Sequence, residues 1–269
     1  GVKLELSSNE QETGAKMQSS EHLSVALKAA KAAAGVIMKY YQQQFQIETK
    51  SDLSPVTIAD IESEKVIRQI ISEAFPGHGF YGEETGQDNI DAEYLWLVDP
   101  IDGTKSFVRE YPFFSTQIAL MKNGELVLGV SSAPGFQELA WAEKGKGAFL
   151  NGKRLAVSDI DSIESCALST GNLKTMALGP DWGSLGKLIA RVSRNRGYGD
   201  FYHYHLLAAG KIDVVLESDV NILDIAATAV IVREAGGIFT DLSGAELGLE
   251  TRSVLAANGH LHGQVLESL

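Results

Sequence analysis

Two carboxylates three residues apart, Asp99 and Asp102, close the run Trp96-Leu97-Val98-Asp99-Pro100-Ile101-Asp102-Gly103-Thr104. The apolar residues before Asp99 predict a strand that fixes its position. Pro100 stiffens the turn that follows, and Gly103 lets backbone approach a bound anion. Carboxylate oxygens suit a hard cation such as Mg²⁺, and backbone N–H groups opening a helix after the turn suit a phosphate. An isolated Asp-x-x-Asp-Gly is better read as a turn with an Asp helix cap. Here it has company. Tyr81-Gly82-Glu83-Glu84-Thr85 lies upstream after a helical segment, and Asn221-Ile222-Leu223-Asp224-Ile225-Ala226-Ala227 opens a helix far downstream. Taken singly, Glu83-Glu84 is a solvated acidic loop and Asp224 a helix N-cap. Together, Glu83, Asp99, Asp102 and Asp224 offer carboxylates for two or three divalent ions.

In this order, Gly-Glu-Glu, then Asp-Pro-Ile-Asp-Gly-Thr, then an Asp-Ile-Ala-Ala helix ending in Gly236-Gly237, the motifs resemble the inositol monophosphatase-like superfamily of Mg²⁺-dependent, lithium-sensitive phosphatases. The resemblance runs from about Glu21 onward. It includes Ser54-Pro55-Val56-Thr57-Ile58-Ala59-Asp60, similar to the segment whose Asp helps activate water. Leu223 departs from it: relatives commonly carry Trp before the metal-binding Asp, a change expected to alter packing and spare the ligand. The resemblance implies an α/β (α+β) fold, a layered α-β-α-β-α sandwich. A polar tail (1–20) would precede an N-terminal half with the metal motifs (21–155) and a C-terminal half that selects the substrate (156–269), with the metals between the halves. It further implies that Glu83, Asp99 and the Ile101 carbonyl hold one Mg²⁺, and that Asp99, Asp102 and Asp224 hold another. A third, weaker ion near Glu83 would orient the attacking water, and Mn²⁺ would substitute. Thr104 with Asp60 would activate that water, Thr57 supporting Asp60, while the Asp102-Gly103-Thr104 segment cradles the phosphate. Homodimerisation and lithium inhibition are implied by the resemblance alone.

Within the superfamily, Gly197-Tyr198-Gly199-Asp200-Phe201-Tyr202-His203-Tyr204 looks more like the histidinol-phosphate phosphatase branch than the inositol branch, where small residues usually stand at the Asp200 position. Lys105-Ser106 points the same way. Histidinol phosphate presents an amine and an imidazole, which favour acidic or hydrogen-bonding partners. Asp200 and Glu217 are therefore the candidate substrate contacts; their plain alternatives are an N-cap and a strand-end charge. Tyr202, His203, Tyr204 and His205 read as packing residues at helical spacing, not as a metal site. The alternative functions are an inositol-1-phosphate or broad sugar-phosphate monophosphatase and a catalytically idle regulatory homologue. Retention of Asp60, Glu83, Asp99, Asp102, Thr104 and Asp224 argues against idleness.

The chain has 269 residues, 44% hydrophobic and 22% charged, enough for one large domain or two tightly joined halves. Lys and Arg total 23 against 35 Asp and Glu, so the net charge of −12 gives nucleic-acid binding no global support. An acidic protein that handles a small phosphorylated substrate needs cations nearby, and bound metal supplies them. Cys166, the single cysteine, makes an intrachain disulfide impossible and a reducing cytosol the default compartment. It reads as a small buried residue in a strand-like run. No stretch approaches the roughly 18 apolar residues of a membrane span. Residues 1–20 lack a signal core and start with Gly, which reads as a tail or a processed end; a removed transit peptide would make the plastid stroma the compartment.

The positioning elements follow from periodicity. Leu23, Ala26, Leu27, Ala30, Ala33, Ala34, Ile37, Met38 and Tyr41 form one helical stripe. Ile61, Ile67, Ile70, Ile71 and Ala74 form another over 60–75, stopped by Pro76-Gly77. Strands are predicted at 95–98, 113–121, 126–133 and 138–142, with Asn123-Gly124 a hairpin turn and 144–147 a further turn. Beyond Asp159, a strand (164–169) and two helices (184–193, 200–209) precede a strand (214–217) and a helix (223–235) capped by Gly236. Strands at 237–240 and 254–257 and a helix at 260–268 complete the chain.

Overall fold

Helix α1 (Glu21–Tyr40) begins where the Ser20 hydroxyl accepts the Leu23 amide at 3.1 Å, an N-cap ahead of an alanine-rich stripe. Its small buried residues Ala26, Ala29, Ala30 and Ala33 let it lie close against α2 (Ile58–Ala74). The computed structural model describes residues 19–41, 47–49 and 55–269, with 47–49 and 55–57 by backbone alone. Residues 1–18, Ser54 and the Thr57 side chain, and with it the expected support of Asp60, lie outside the described residues. Met38 and Ala74, both counted in the predicted stripes, are exposed. Each sits in the last turn of its helix, on the side turned away from the core that Ile37 and Ile71 enter.

Strands β1 (Ile47–Thr49) and β2 (Pro55–Thr57) pair as a small antiparallel ribbon. A larger sheet, eight-stranded among the described residues, is built from β3 (Gly79–Gly82), β4 (Gly86–Asp88), β5 (Tyr94–Asp102), β6 (Ser115–Lys122), β7 (Glu125–Ala133), β8 (Glu138–Glu143), β9 (Ala148–Leu150) and β10 (Lys153–Arg154), with the short helix α3 (Thr104–Val108) after β5. Its order is β10-β9-β8-β7-β6-β5-β3-β4, antiparallel except where β3 meets β5. The C-terminal sheet takes β11 (Ala167–Gly171), β12 (Arg194–Arg196), β13 (Val214–Ser218), β14 (Ile238–Thr240) and β15 (Ser253–Ala257) in the order β12-β11-β13-β15-β14. Its helices are α4 (Lys174–Leu178), α5 (Trp182–Arg191), α6 (Asp200–Ala208), α7 (Ile222–Glu234) and α8 (His262–Ser268).

The layers alternate as expected. Helices α1 and α2 cover one face of the eight-stranded sheet; α6 and α7 fill the space between the two sheets; α4, α5 and α8 cover the outer face of the second. Helix α7 is buried almost all round, from Ile222 and Leu223 through Ile225 to Val232, as a helix sandwiched between two sheets must be. Asp224 is the one polar interruption in its first turn.

Two local features differ from the periodicity. Strand β5 does not stop at Val98 but runs to Asp102, and its register against β6 slips: Asp99 faces Gln117 and Asp102 faces Ser115. Pro100 and Ile101 thus oppose a single residue, a bulge inside a strand and not a turn after it. Proline fits there because a bulge breaks the ladder that its missing N–H cannot join. The strand predicted over 164–169 starts only at Ala167, since Ile163–Ser165 form a 3₁₀ turn that buries Cys166 at its end. Asn123 and Gly124 form the predicted hairpin turn, both with positive φ.

Candidate metal and phosphate site

The bulge explains why Asp99 and Asp102 act together. In a regular strand, residues three apart point to opposite faces; one extra residue between them restores a common face. Both carboxylates then meet Asp224 from α7, and one oxygen of each of the three lies within 4.8 Å of the others. They line a cleft of about 420 Å³ shared with Asp60, Glu83, Glu84, Ile101, Gly103, Thr104 and Asp200, with Lys105 the one cation among these lining residues. A larger groove of about 1040 Å³, bordered by Met176, Asp219 and Arg252, has no trio of carboxylates in such reach among the described residues.

Charge in this cleft is heavily opposed. Burial, then the charges of Asp224 and Asp102, pushes the Asp99 carboxyl well above the usual carboxylate range. Asp102 is likewise pushed well up, first by burial and then by Asp200, Asp224 and Glu217. Asp224 is raised by burial, with partial relief from hydrogen bonds to Asp99 and the Asn221 amide. A small divalent cation among these oxygens would remove the repulsion. Three convergent hard-oxygen donors with excess negative charge therefore fit Mg²⁺.

Each side chain is held by local structure. The N-cap of α7 is Asn221, not Asp224: the Asn221 side chain accepts the Leu223 and Asp224 amides at 2.9 and 3.3 Å. Asp224 Oδ2 accepts the Asn221 amide at 3.0 Å, completing a capping box that fixes the carboxylate. Glu83 follows β3, and its amide donates to the Val98 carbonyl at 3.2 Å. Glu83 stands outside the close trio but lines the same cleft, and its charge helps raise Asp99 and Asp102.

Behind that loop is a residue sequence reasoning missed, the buried Glu64 of α2. It accepts the Glu84 amide at 2.9 Å and the Thr85 amide at 2.5 Å. Its signal was a charge one turn after Asp60 on the face that carries Ile67 and Ile71. Thr104 Oγ1 lies 3.0 Å from the Ile101 carbonyl oxygen and 3.3 Å from Asp60 Oδ1, so its single proton has two acceptors. Gly103 has φ of 91°, and a Cβ there would sit 2.5 Å from the Phe113 carbonyl oxygen. Its need for glycine is therefore met by its own backbone and Phe113.

Asp200 and Glu217 are placed differently. Gly199 is the N-cap of α6, and Asp200 is its first residue, left-handed at φ 46° and facing the same cleft. Burial, then Glu217, pushes its carboxyl up to about 6. Glu217 is not among the lining residues but is buried beside them, with Tyr204 Oη donating to Oε1 at 3.1 Å and His203 Nε2 2.9 Å from Oε2. His203, Tyr204 and His205 are buried as expected. His205 bridges Glu138 Oε2 at 2.9 Å and Ser131 Oγ at 2.7 Å, tying α6 to the larger sheet. The Cys166 thiol is pushed up to about 11, chiefly by burial, as an inert packing residue should be.

The sequence signature of the Inositol monophosphatase family matches residues 18–269. The histidinol-phosphatase of Mycobacterium tuberculosis is 42% identical over 229 residues, 83% of this chain and 88% of that protein. The inositol-1-monophosphatase of Caulobacter vibrioides is 36% identical over 251 residues, 90% and 97% of the two chains. Among solved structures, extragenic suppressor protein suhB from Bartonella henselae superposes with a TM-score of 0.85 at 33% identity, over 93% of this chain and 98% of that one.

Proposed function

The chain belongs to the inositol monophosphatase family, and from that premise we propose that it is a Mg²⁺-dependent phosphate monoester hydrolase whose substrate is L-histidinol phosphate, cleaved to L-histidinol and phosphate. Of the two relatives above, one is named for histidinol phosphate and the other for inositol phosphate, so the substrate rests on the cleft. The observation that carries it is Asp200, a carboxylate in a left-handed backbone at the head of α6, lining the cleft of the Asp99-Asp102-Asp224 trio. A polyol phosphate brings only hydroxyls to that position. Histidinol phosphate brings an ammonium and an imidazole, and either offsets the desolvation of a buried carboxylate.

Glu83, Asp99, the Ile101 carbonyl, Asp102 and Asp224 would hold two ions, with a third near Glu83. Bound Mg²⁺ supplies charge neutralisation for the phosphoryl oxygens and lowers the pKa of a bound water. The chain supplies the rest. Thr104 donates its hydroxyl in a hydrogen bond to Asp60 and turns a lone pair to the attacking water, orienting it and drawing on its proton. The amides of Gly103 and Thr104 at the opening of α3 cradle the phosphate beside Asp102, and Lys105 at the rim adds the lining's one positive charge. Asp200 and Glu217 hold the leaving alcohol by its amine and imidazole. Homodimerisation, Mn²⁺ substitution and lithium inhibition belong to the same proposal.

Phosphate release in Mg²⁺ tests it, comparing kcat/KM for L-histidinol phosphate, inositol 1-phosphate and an adenosine bisphosphate. Preference for histidinol phosphate by several orders of magnitude is expected. Preference for inositol phosphate would overturn the substrate and keep the metal chemistry; no release from any of them would overturn both.

A further inference from the structure

Glu217 is buried beside a cleft already crowded with negative charge, and Asp102, Asp200 and Asp224 all feel it. Its carboxylate is nevertheless met on both oxygens: Tyr204 Oη donates to Oε1 at 3.1 Å, and the His203 ring packs against Oε2 with Nε2 2.9 Å away. Gly171 of β11 leaves room for this grip, because a Cβ there would run into Oε2 and stand 3.2 Å from the His203 ring.

His203 is itself fixed. Its Nδ1 lies 3.0 Å from Ser169 Oγ, and that oxygen also accepts the Tyr198 amide at 3.2 Å. With one lone pair taken by an amide, the Ser169 hydroxyl can give its proton to Nδ1, which puts the ring proton on Nε2, facing Glu217. Nε2 is fully buried and meets Oε2 at an angle short of a good hydrogen bond; among the described residues it has no other partner. A buried N–H there is costly unless Glu217 takes it. Asp200, His203 and Tyr204 stand at i, i+3 and i+4 on α6, one face of one helix. The same rigid element therefore presents Asp200 and orients Glu217.

We propose that Ser169, His203 and Tyr204 are positioning residues that fix the Glu217 carboxylate in one orientation beside Asp200, so that the substrate meets a preset pair of carboxylates. The proposal rests on the reading that Glu217 takes part in substrate binding. A glutamate free to change rotamer would lose affinity to ordering when substrate arrives; one held in advance does not.

The test is a double-variant cycle read as KM against kcat, on whichever phosphate monoester the wild type turns over best. Tyr204→Phe keeps the ring and deletes the donor, and is expected to raise KM about tenfold with kcat within about twofold. In a Glu217→Ala background the same substitution is expected to change KM by less than about twofold, since the group it positions is gone. His203→Gln, which keeps an N–H near the Nε2 position, is expected to restore most of the affinity that His203→Leu loses. An unchanged KM in Tyr204→Phe, or effects that multiply in the double variant as those of a merely structural residue would, overturns the proposal. Where Tyr204→Phe fails to fold, Ser169→Ala takes its place in the cycle: a raised KM that vanishes in the Glu217→Ala background supports the proposal, and an unchanged or multiplying KM overturns it. The substrate reading fails separately, by the wild type ignoring L-histidinol phosphate.

Discussion

The two ends of the cleft treat buried negative charge in opposite ways. At one end Asp99, Asp102 and Asp224 converge within 4.8 Å, and their carboxyls are raised by burial and by one another. At the other, Glu217 accepts the Tyr204 hydroxyl and lies against the His203 ring, and Asp200 heads α6. The first arrangement calls for cations, whatever the substrate. The second meets its carboxylate with a tyrosine hydroxyl and a histidine ring, and in the proposed function it receives the leaving group. The proposed function thus puts phosphate chemistry and substrate choice on different elements, β5 with the start of α7 and α6 with β13, so that one could change while the other stays.

The largest expected effect breaks the metal end. Asp99→Asn removes a shared ligand and is expected to lower kcat/KM by about 10⁴ or more, with Mg²⁺ binding weakened in calorimetry. Near-normal turnover in saturating Mg²⁺ would contradict its role. A second test uses pH. The trio and Asp200 have carboxyls raised in the folded state, Asp200 to about 6, so the folded chain holds protons the unfolded chain has released. Metal-stripped protein should then lose stability as pH rises from about 4 through about 6. Mg²⁺ competes with those protons, so its stabilisation should be slight at pH 5 and reach about 5–10 °C in melting temperature at pH 8 and saturating metal. A gain independent of pH would contradict the electrostatic account.

The smallest effect sharpens the comparison from behind the Glu83 loop. Glu64→Gln replaces an acceptor of two amides by a group with one acceptor, and is expected to cost about 2 kcal/mol, or roughly 4–8 °C in a melting curve. Because Glu64 holds the loop that carries Glu83, Mg²⁺ affinity should fall with it while the ratio between substrates stays put.

Legibility in the sequence divides along the same line. Asp99, Asp102, Gly103 and Thr104 lie in one short run, read as a candidate metal and phosphate site only in company with Glu83 and Asp224. The bulge that gives both Asp residues a common face does not declare itself, because Asp-Pro-Ile-Asp-Gly reads as a turn after a strand. Asp224 was legible as a carboxylate but not as N3 of α7, since the cap lies three residues earlier at Asn221. Glu64 was hidden among the apolar residues of α2. The grip on Glu217 joins residues 169, 203, 204 and 217, and depends on side-chain directions that no period encodes. Helices α1, α2, α6 and α7 were readable from their stripes and caps, whereas β3, β4, β9, β10 and β12 span only two to four residues, too few for a period to show.

The most direct measurement is the ratio of kcat/KM for L-histidinol phosphate to that for inositol 1-phosphate, in wild type and in Asp200→Ala. The account predicts a large ratio in the wild type that falls about 100-fold in the variant, the roughly 3 kcal/mol of a hydrogen bond to a charged group, through loss on histidinol phosphate and with Mg²⁺-dependent turnover of inositol 1-phosphate retained. An equal loss on both substrates, or an unchanged ratio, would contradict the division of the cleft into a metal end and a selecting end.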